Sequence, residues 1–99
     1  MTKIKKYVEE IAEELHGAKH YIEVALEYKA TDSTRYAKYK ELSMQEINHA
    51  MVLHEFCVQD IEKLKIVYPD IPQKMMDKWN KAHAEYVEKT AWIKQMQSM

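Results

Sequence analysis

Apolar residues recur along this chain at intervals of three and four positions, as one face of an amphipathic helix requires. The repeat predicts a first helix from about residue 3 to about residue 29. Its apolar positions are Ile4, Val8, Ile11, Leu15, Ala18, Ile22, Ala25 and Leu26. No stretch alternates between apolar and polar residues as a half-buried strand would, and no Asn-Gly or Asp-Gly hairpin turn is present.

Two further helices are predicted, from about residue 34 to about residue 67 and from about residue 72 to about residue 97. Residues 30–33 supply the first turn and the N-cap, whereas Pro69 and Pro72 end the second helix. The predicted inward face of the second helix is Tyr39, Leu42, Glu46, His49, Leu53, Phe56 and Leu64, with Ile61 alongside. That of the third helix is Met75, Trp79, Ala82, Tyr86, Ile93 and Met96.

The composition supports an all-α fold, because one glycine and two prolines leave few breaks in the helical pattern. We expect one domain over residues 1–99, a long antiparallel helical hairpin with a third C-terminal helix. Such a hairpin has too little apolar surface to protect both of its faces. We therefore expect a homo-oligomer, a dimer or a multiple of dimers, in which two copies complete a four-helix bundle.

Charge and cysteine content narrow the function classes. The 15 basic and 16 acidic side chains nearly balance, which argues against a nucleic-acid-binding protein. The single Cys57 allows no internal disulfide and favours a reducing compartment. No signal peptide is evident and no apolar run approaches the ~18 residues of a membrane span. The interpretation is a cytoplasmic protein without membrane contact.

The candidate chemistry lies in Glu46-Ile47-Asn48-His49, because residues three apart share one face of a helix. Both polar side chains fall on the predicted apolar face of the second helix. A buried carboxylate needs a cation, a metal or a hydrogen-bond network. Glu14 lies at the edge of the apolar face of the first helix.

Together these residues predict half of a di-metal carboxylate site, a glutamate from one helix and Glu-x-x-His from its neighbour. Carboxylates with one imidazole per metal suit Fe(II), Mn(II) or Zn(II). The alternative interpretations are a hydrogen-bonded polar cluster that sets helix register and, for Glu14, a solvated acid beside its acidic neighbours.

Two segments resemble the metal-binding helices of the ferritin-like superfamily, above all rubrerythrins and encapsulated ferritins. The segment from Glu13 to Tyr21 is similar to their first such helix, with a glutamate seven residues before an aromatic and small residues between them. Glu46-Ile47-Asn48-His49-Ala50-Met51 is similar to their second-helix motif. The resemblance covers about residues 10–60.

The resemblance implies a ferroxidase that acts in iron handling or peroxide protection. Glu14, Glu46 and His49 from each of two chains would hold two iron ions per dimer, with Mn or Zn as alternatives. Tyr21 would lie beside these ligands, and Glu13 with His16 would form an outer, weaker site for incoming metal.

Other features qualify this expectation. Enclosure in an encapsulin shell is an alternative that the sequence does not support, because the C-terminal residues lack the Gly/Ser/Leu-rich tail expected of an encapsulin cargo protein. A non-enzymatic helical adaptor with a buried polar or Zn/Mn assembly site is another. His20, His54 and His83 are predicted to bind no metal. We expect His54 to be exposed and Cys57 to be a small buried apolar residue.

Overall fold

The structure is a computed structural model that describes residues 2–68 and 70–99. Over these residues the chain forms three helices and no strand: α1 (Thr2–Tyr28), α2 (Ser33–Val67) and α3 (Gln73–Gln97). The predicted all-α fold is confirmed, and each helix begins and ends within one residue of its predicted bounds. Pro69, which was predicted to help end α2, lies outside the described residues.

Asp32 is the N-cap of α2, one of the residues predicted for this role. Its carboxylate accepts a hydrogen bond from the backbone N–H of Arg35 at 3.0 Å and one from the Arg35 guanidinium at 2.6 Å. The backbone bond is the main reason that the pKa of Asp32 is lowered, and the guanidinium bond adds to it. After this short turn, α2 runs back along α1.

The core lies where α1 and α2 face each other, with the end of α3 laid across them. The larger of two buried clusters joins α1, α2 and α3: Ile11, Leu15, Ala18, Ile22, Ala25, Ile47, Ala50, Ile93 and Met96. The smaller one, Ile4, Cys57 and Ile61, lies toward the other end of the hairpin. Cys57 is fully buried, as predicted.

The buried face of α2 differs from the predicted one. The structure buries Ser43, Ile47, Ala50, Cys57 and Ile61. Leu42 remains 38% exposed and Phe56 46% exposed, although both were assigned to the inward face. The small residues allow α1 and α2 to approach closely, which rotates the larger apolar residues to the flank of the contact. Hydrophobic periodicity missed this because it gives no weight to a serine such as Ser43.

The third helix packs mainly against α1 and touches α2 at fewer places. Its predicted inward face is largely confirmed, because Ile93 and Met96 are buried and the other four members are half-buried. Thr90 is buried as well, which was not predicted. Among the described residues, none of the helices combines the length and apolar character needed to cross a bilayer.

Candidate metal centre

The antiparallel hairpin brings Glu14 of α1 beside Glu46 and His49 of α2. Both glutamates are half-buried, with 27% of each side chain exposed, and the His49 side chain is 61% exposed. One potential ligand atom from each residue lies within 4.8 Å of the other two. The structure thus gathers the three predicted metal ligands in one group.

The imidazole of His49 lies close to both carboxylates. Its Nδ1 atom is 3.5 Å from Oε2 of Glu14 and 4.0 Å from Oε2 of Glu46. The first distance is too long for an ordinary hydrogen bond, and Oε2 of Glu14 is buried with no hydrogen-bond partner among the described residues. A desolvated carboxylate oxygen without a donor is costly. A cation at this position would remove that cost.

Gly17 lets the Glu46 side chain rest on the backbone of α1. A Cβ atom built at Gly17 would lie 3.6 Å from Cδ and Oε2 of Glu46, an ordinary van der Waals separation. Gly17 therefore lies directly beneath this side chain. A carboxylate does pack over it, but an alanine fits in the same space.

The three residues lie on the flank of the hairpin that α3 leaves uncovered. Along α2, Leu42 and Phe56 extend the same flank on either side of His49, and both are exposed. On the opposite side, α3 packs beside Leu15 of α1 and His54 of α2. A metal bound at Glu14, Glu46 and His49 would therefore be reached from solvent or from a second molecule.

The residues predicted to support the site have different positions. The Tyr21 ring is half-buried and lies 6.2 Å from the Tyr39 ring, centroid to centroid. Glu13 and His16 are exposed and belong to no described group of three potential ligands within 4.8 Å. His16 instead lines a groove between α1 and α3, beside Trp92.

One group of residues was missed by sequence reasoning. His54 was predicted to be exposed, but its ring is half-buried and stacks on Tyr86, with 4.1 Å between centroids and 9° between planes. Its Nε2 atom is hydrogen-bonded to Nδ1 of His83 at 2.9 Å. The available signal was spacing, because the buried residues Ala50 and Ile47 lie four and seven positions earlier on the same helix.

The donor set at Glu14, Glu46 and His49 fits a divalent first-row metal ion. Two carboxylates neutralise its charge, and one imidazole adds the nitrogen ligand that Fe(II), Mn(II) and Zn(II) accept. Three protein ligands leave coordination positions free for water, for an oxidant or for ligands from another chain. The arrangement is therefore suited to a reactive or a bridging metal more than to a closed structural one.

No protein-family model matches the chain, and no curated protein or solved structure matches it either.

Proposed function

We propose that the protein is a ferroxidase that oxidises Fe(II) at a pair of sites shared by two copies of the chain. The observation that carries the proposal is the buried Oε2 of Glu14, which has no hydrogen-bond partner among the described residues and lies next to a second carboxylate and an imidazole. A bound cation would give this oxygen a favourable partner. The resemblance of residues 10–60 to rubrerythrins and encapsulated ferritins supports iron as this cation.

Two neighbouring iron ions match the electron demand of the oxidant. Each Fe(II) gives up one electron on becoming Fe(III). Two therefore reduce dioxygen to hydrogen peroxide with two protons, or hydrogen peroxide to two water molecules with two protons. The role of the carboxylates of Glu14 and Glu46 is to favour the ferric product, because anionic oxygen ligands stabilise the higher charge.

A single chain supplies only half of such a pair. The site lies on the flank that α3 leaves uncovered, and the apolar side chains of Leu42 and Phe56 are exposed there. A second copy laid on this flank would bury both side chains and bring its own Glu14, Glu46 and His49 to the first set. The two hairpins would then form a four-helix bundle.

The positions of Leu42 and Phe56 define how two copies would meet. They lie seven residues before and seven residues after His49, which is nearly two helical turns in each direction. With two α2 helices antiparallel about a twofold axis near His49, Leu42 of one copy faces Phe56 of the other. The same contact repeats on the opposite side of the axis, as a twofold interface requires.

Iron loading tests the proposed activity. Metal-free protein is mixed with Fe(II) without oxygen, its mass is measured by light scattering, and air is then admitted while ferric absorbance is followed. We expect association on loading and rapid oxidation of about one iron per chain, as a pair of sites in each dimer requires. Glu46→Ala should abolish both, whereas Glu41→Ala, an exposed glutamate on the same helix, should retain both. Unchanged oxidation in Glu46→Ala would refute the ferroxidase.

Cysteine pairing tests the proposed interface in a Cys57→Ala background. Leu42→Cys protein mixed with Phe56→Cys protein should form disulfide-linked heterodimers under mild oxidation. Val58 is an exposed apolar residue on a different face of α2, so Val58→Cys is the matched partner control. Equal crosslinking of Leu42→Cys to both partners would count against the twofold arrangement about His49.

A second candidate function is a Zn(II) or Mn(II) site that assembles the protein without redox turnover. The exposed Leu42 and Phe56 favour it, because an assembly interface needs apolar surface whether or not the metal reacts. In the same experiments this function predicts association on Zn(II) addition and dissociation on chelation. It predicts no oxidation above the rate of free Fe(II).

A further inference from the structure

Two histidines join α2 to α3 through their ring nitrogens. Nε2 of His54 and Nδ1 of His83 are 2.9 Å apart, and the ring centroids are 5.1 Å apart. At this separation the nitrogens face each other across one shared proton. A metal ion on the line between them would need a nitrogen–nitrogen distance of about 4 Å. The geometry is that of a hydrogen bond between imidazoles.

The surroundings of His54 disfavour its charged form. Its ring lies against Tyr86, and the Trp79 ring is 5.6 Å away, centroid to centroid. Burial lowers the pKa of His54, and the neighbouring His83 lowers it further. Burial also raises the pKa of the Tyr86 phenol, which therefore stays neutral in the pH range in which histidines titrate.

Few other charges act on His54. On α3, Glu85 and Lys89 line the same small cavity, and their opposite charges act on an imidazolium in opposite directions. On α1, the cavity is lined by Val8, Ile11, Ala12 and Leu15, none of which titrates. On α2 itself, the adjacent Glu55 is exposed to solvent, where its charge is screened. The other imidazole of the pair is the nearest group that changes charge.

The first half of α3 is less deeply buried than the second half. The buried residues of α3 are Thr90, Ile93 and Met96, all in its C-terminal half. Before Thr90, Met75, Met76, Trp79, Ala82 and Tyr86 are half-buried and the other described residues of α3 are exposed. In this half, Met75 and Trp79 pack against the smaller buried cluster, which includes Cys57 and Ile61 of α2. The His54–His83 hydrogen bond adds a polar contact between the same two helices.

We propose that His54 and His83 form a proton-sensitive clasp, which holds the first half of α3 against α2 and opens when both imidazoles are protonated. With both rings neutral, one nitrogen donates and the other accepts. With one ring charged, the imidazolium donates to its neutral neighbour and the bond strengthens. With both rings charged, no acceptor remains and two positive charges face each other at 2.9 Å.

The sign of the pH dependence follows from this count of protons. The closed clasp holds at most one added proton, whereas the open form binds two. Lower pH therefore favours opening, and the effect develops below the ordinary histidine pKa of about 6.5. Opening exposes the apolar groove of α1 at Val8 and Leu15, on the side of the hairpin away from Glu14 and Glu46.

Hydrogen exchange tests the clasp in the full chain, in chelating buffer so that metal binding plays no part. Backbone amides of residues 76–87 are compared between about pH 7.5 and about pH 5, after correction for intrinsic exchange rates. The opening equilibrium constant should rise by up to about tenfold per pH unit for each extra proton bound by the open form. Amides in the centres of α1 and α2 should keep their protection.

The decisive variant is His83→Asn, since an asparagine amide can occupy the position of Nδ1 but does not titrate. Its protection, whatever its level at neutral pH, should change less with pH than that of the wild type, because only the half-buried His54 ring still gains a proton on opening. The matched control is His20→Asn, which removes an exposed histidine next to Tyr21 and should keep the wild-type pH response. The clasp is refuted by a pH-independent wild type, by an unchanged pH response in His83→Asn, or by unfolding of the whole protein together with α3.

Discussion

The carboxylate of Glu46 packs over the backbone of Gly17, with its Cδ atom 3.6 Å from where a glycine Cβ would lie. This contact between α2 and α1 fixes how closely Glu46, one of the three candidate ligands, approaches α1. A Cβ atom at residue 17 would fit, because 3.6 Å is an ordinary van der Waals separation. The glycine and the site can therefore be tested separately.

Replacing Gly17 by alanine should stabilise the protein by about 1 kcal/mol, because glycine is the poorer residue in a helix interior. Chemical denaturation of the metal-free protein measures this change. Ala12→Gly, at an exposed position of the same helix, should destabilise it by a similar amount. Metal affinity should be preserved in Gly17→Ala, and a large loss would show that Glu46 needs more space than the contact indicates.

Glu14→Leu should stabilise the metal-free protein by about 1 kcal/mol, because it removes a buried carboxylate oxygen for which the described part of the chain offers no hydrogen-bond partner. The same substitution should abolish the rise in melting temperature that metal causes. Calorimetry with and without metal measures both effects. The control is Glu13→Leu at the adjacent exposed position, which should change the free energy of unfolding by less than about 0.5 kcal/mol. This variant should keep the rise in melting temperature that metal causes. A destabilised metal-free Glu14→Leu would indicate a polar cluster instead of an empty metal site.

Ser43 connects all three helices, since its hydroxyl donates to the Ala18 carbonyl at 2.6 Å and accepts from the Gln97 amide at 2.9 Å. Ser43→Ala should destabilise the protein by about 1–2 kcal/mol, because the residue is fully buried and both partners lose a bond. Gln97→Ala should cost less. A double-mutant cycle should give a coupling of about 0.5–1 kcal/mol, and strict additivity would show that Gln97 does not bond to Ser43.

The Cys57 thiol should be nearly inert in the folded protein. Burial raises its pKa from 9.0 to about 11, and nearby Asp60 contributes to the increase. At pH 8 the folded protein should therefore react with a thiol reagent at least ~100-fold more slowly than the urea-unfolded chain. Equal rates in the two states would show that this end of the hairpin is open.

The same shift predicts a loss of stability in alkali. Because the pKa is higher in the folded state, the contribution of the neutral thiol is complete below the unfolded pKa of 9.0 and declines as the pH rises toward about 11. Melting temperatures across this range should fall more steeply for the wild type than for Cys57→Ala. Parallel curves would contradict a raised thiol pKa.

Much of the architecture follows from the sequence alone. Helical periodicity and the scarcity of glycine and proline determine three helices, and the Asp32 turn makes the first two antiparallel. Once the hairpin is antiparallel, Glu14 must lie near Glu46 and His49, because i, i+3 spacing places the latter two on one face. The residues of the candidate site can therefore be identified from the sequences of α1 and α2 alone.

Tertiary structure decided which side of each helix is buried. Leu42 and Phe56 are more hydrophobic than Ser43, yet Ser43 is the buried one. Where two helices approach closely, small residues fit best, and a hydroxyl can bond to a backbone carbonyl of the other helix. A hydrophobicity pattern takes account of neither effect. The His54–His83 bond likewise depends on where α3 docks, and this is set by packing between residues far apart in the chain. The periodicity of the sequence determines which residues share one face of a helix. Only tertiary packing determines which other residues that face contacts.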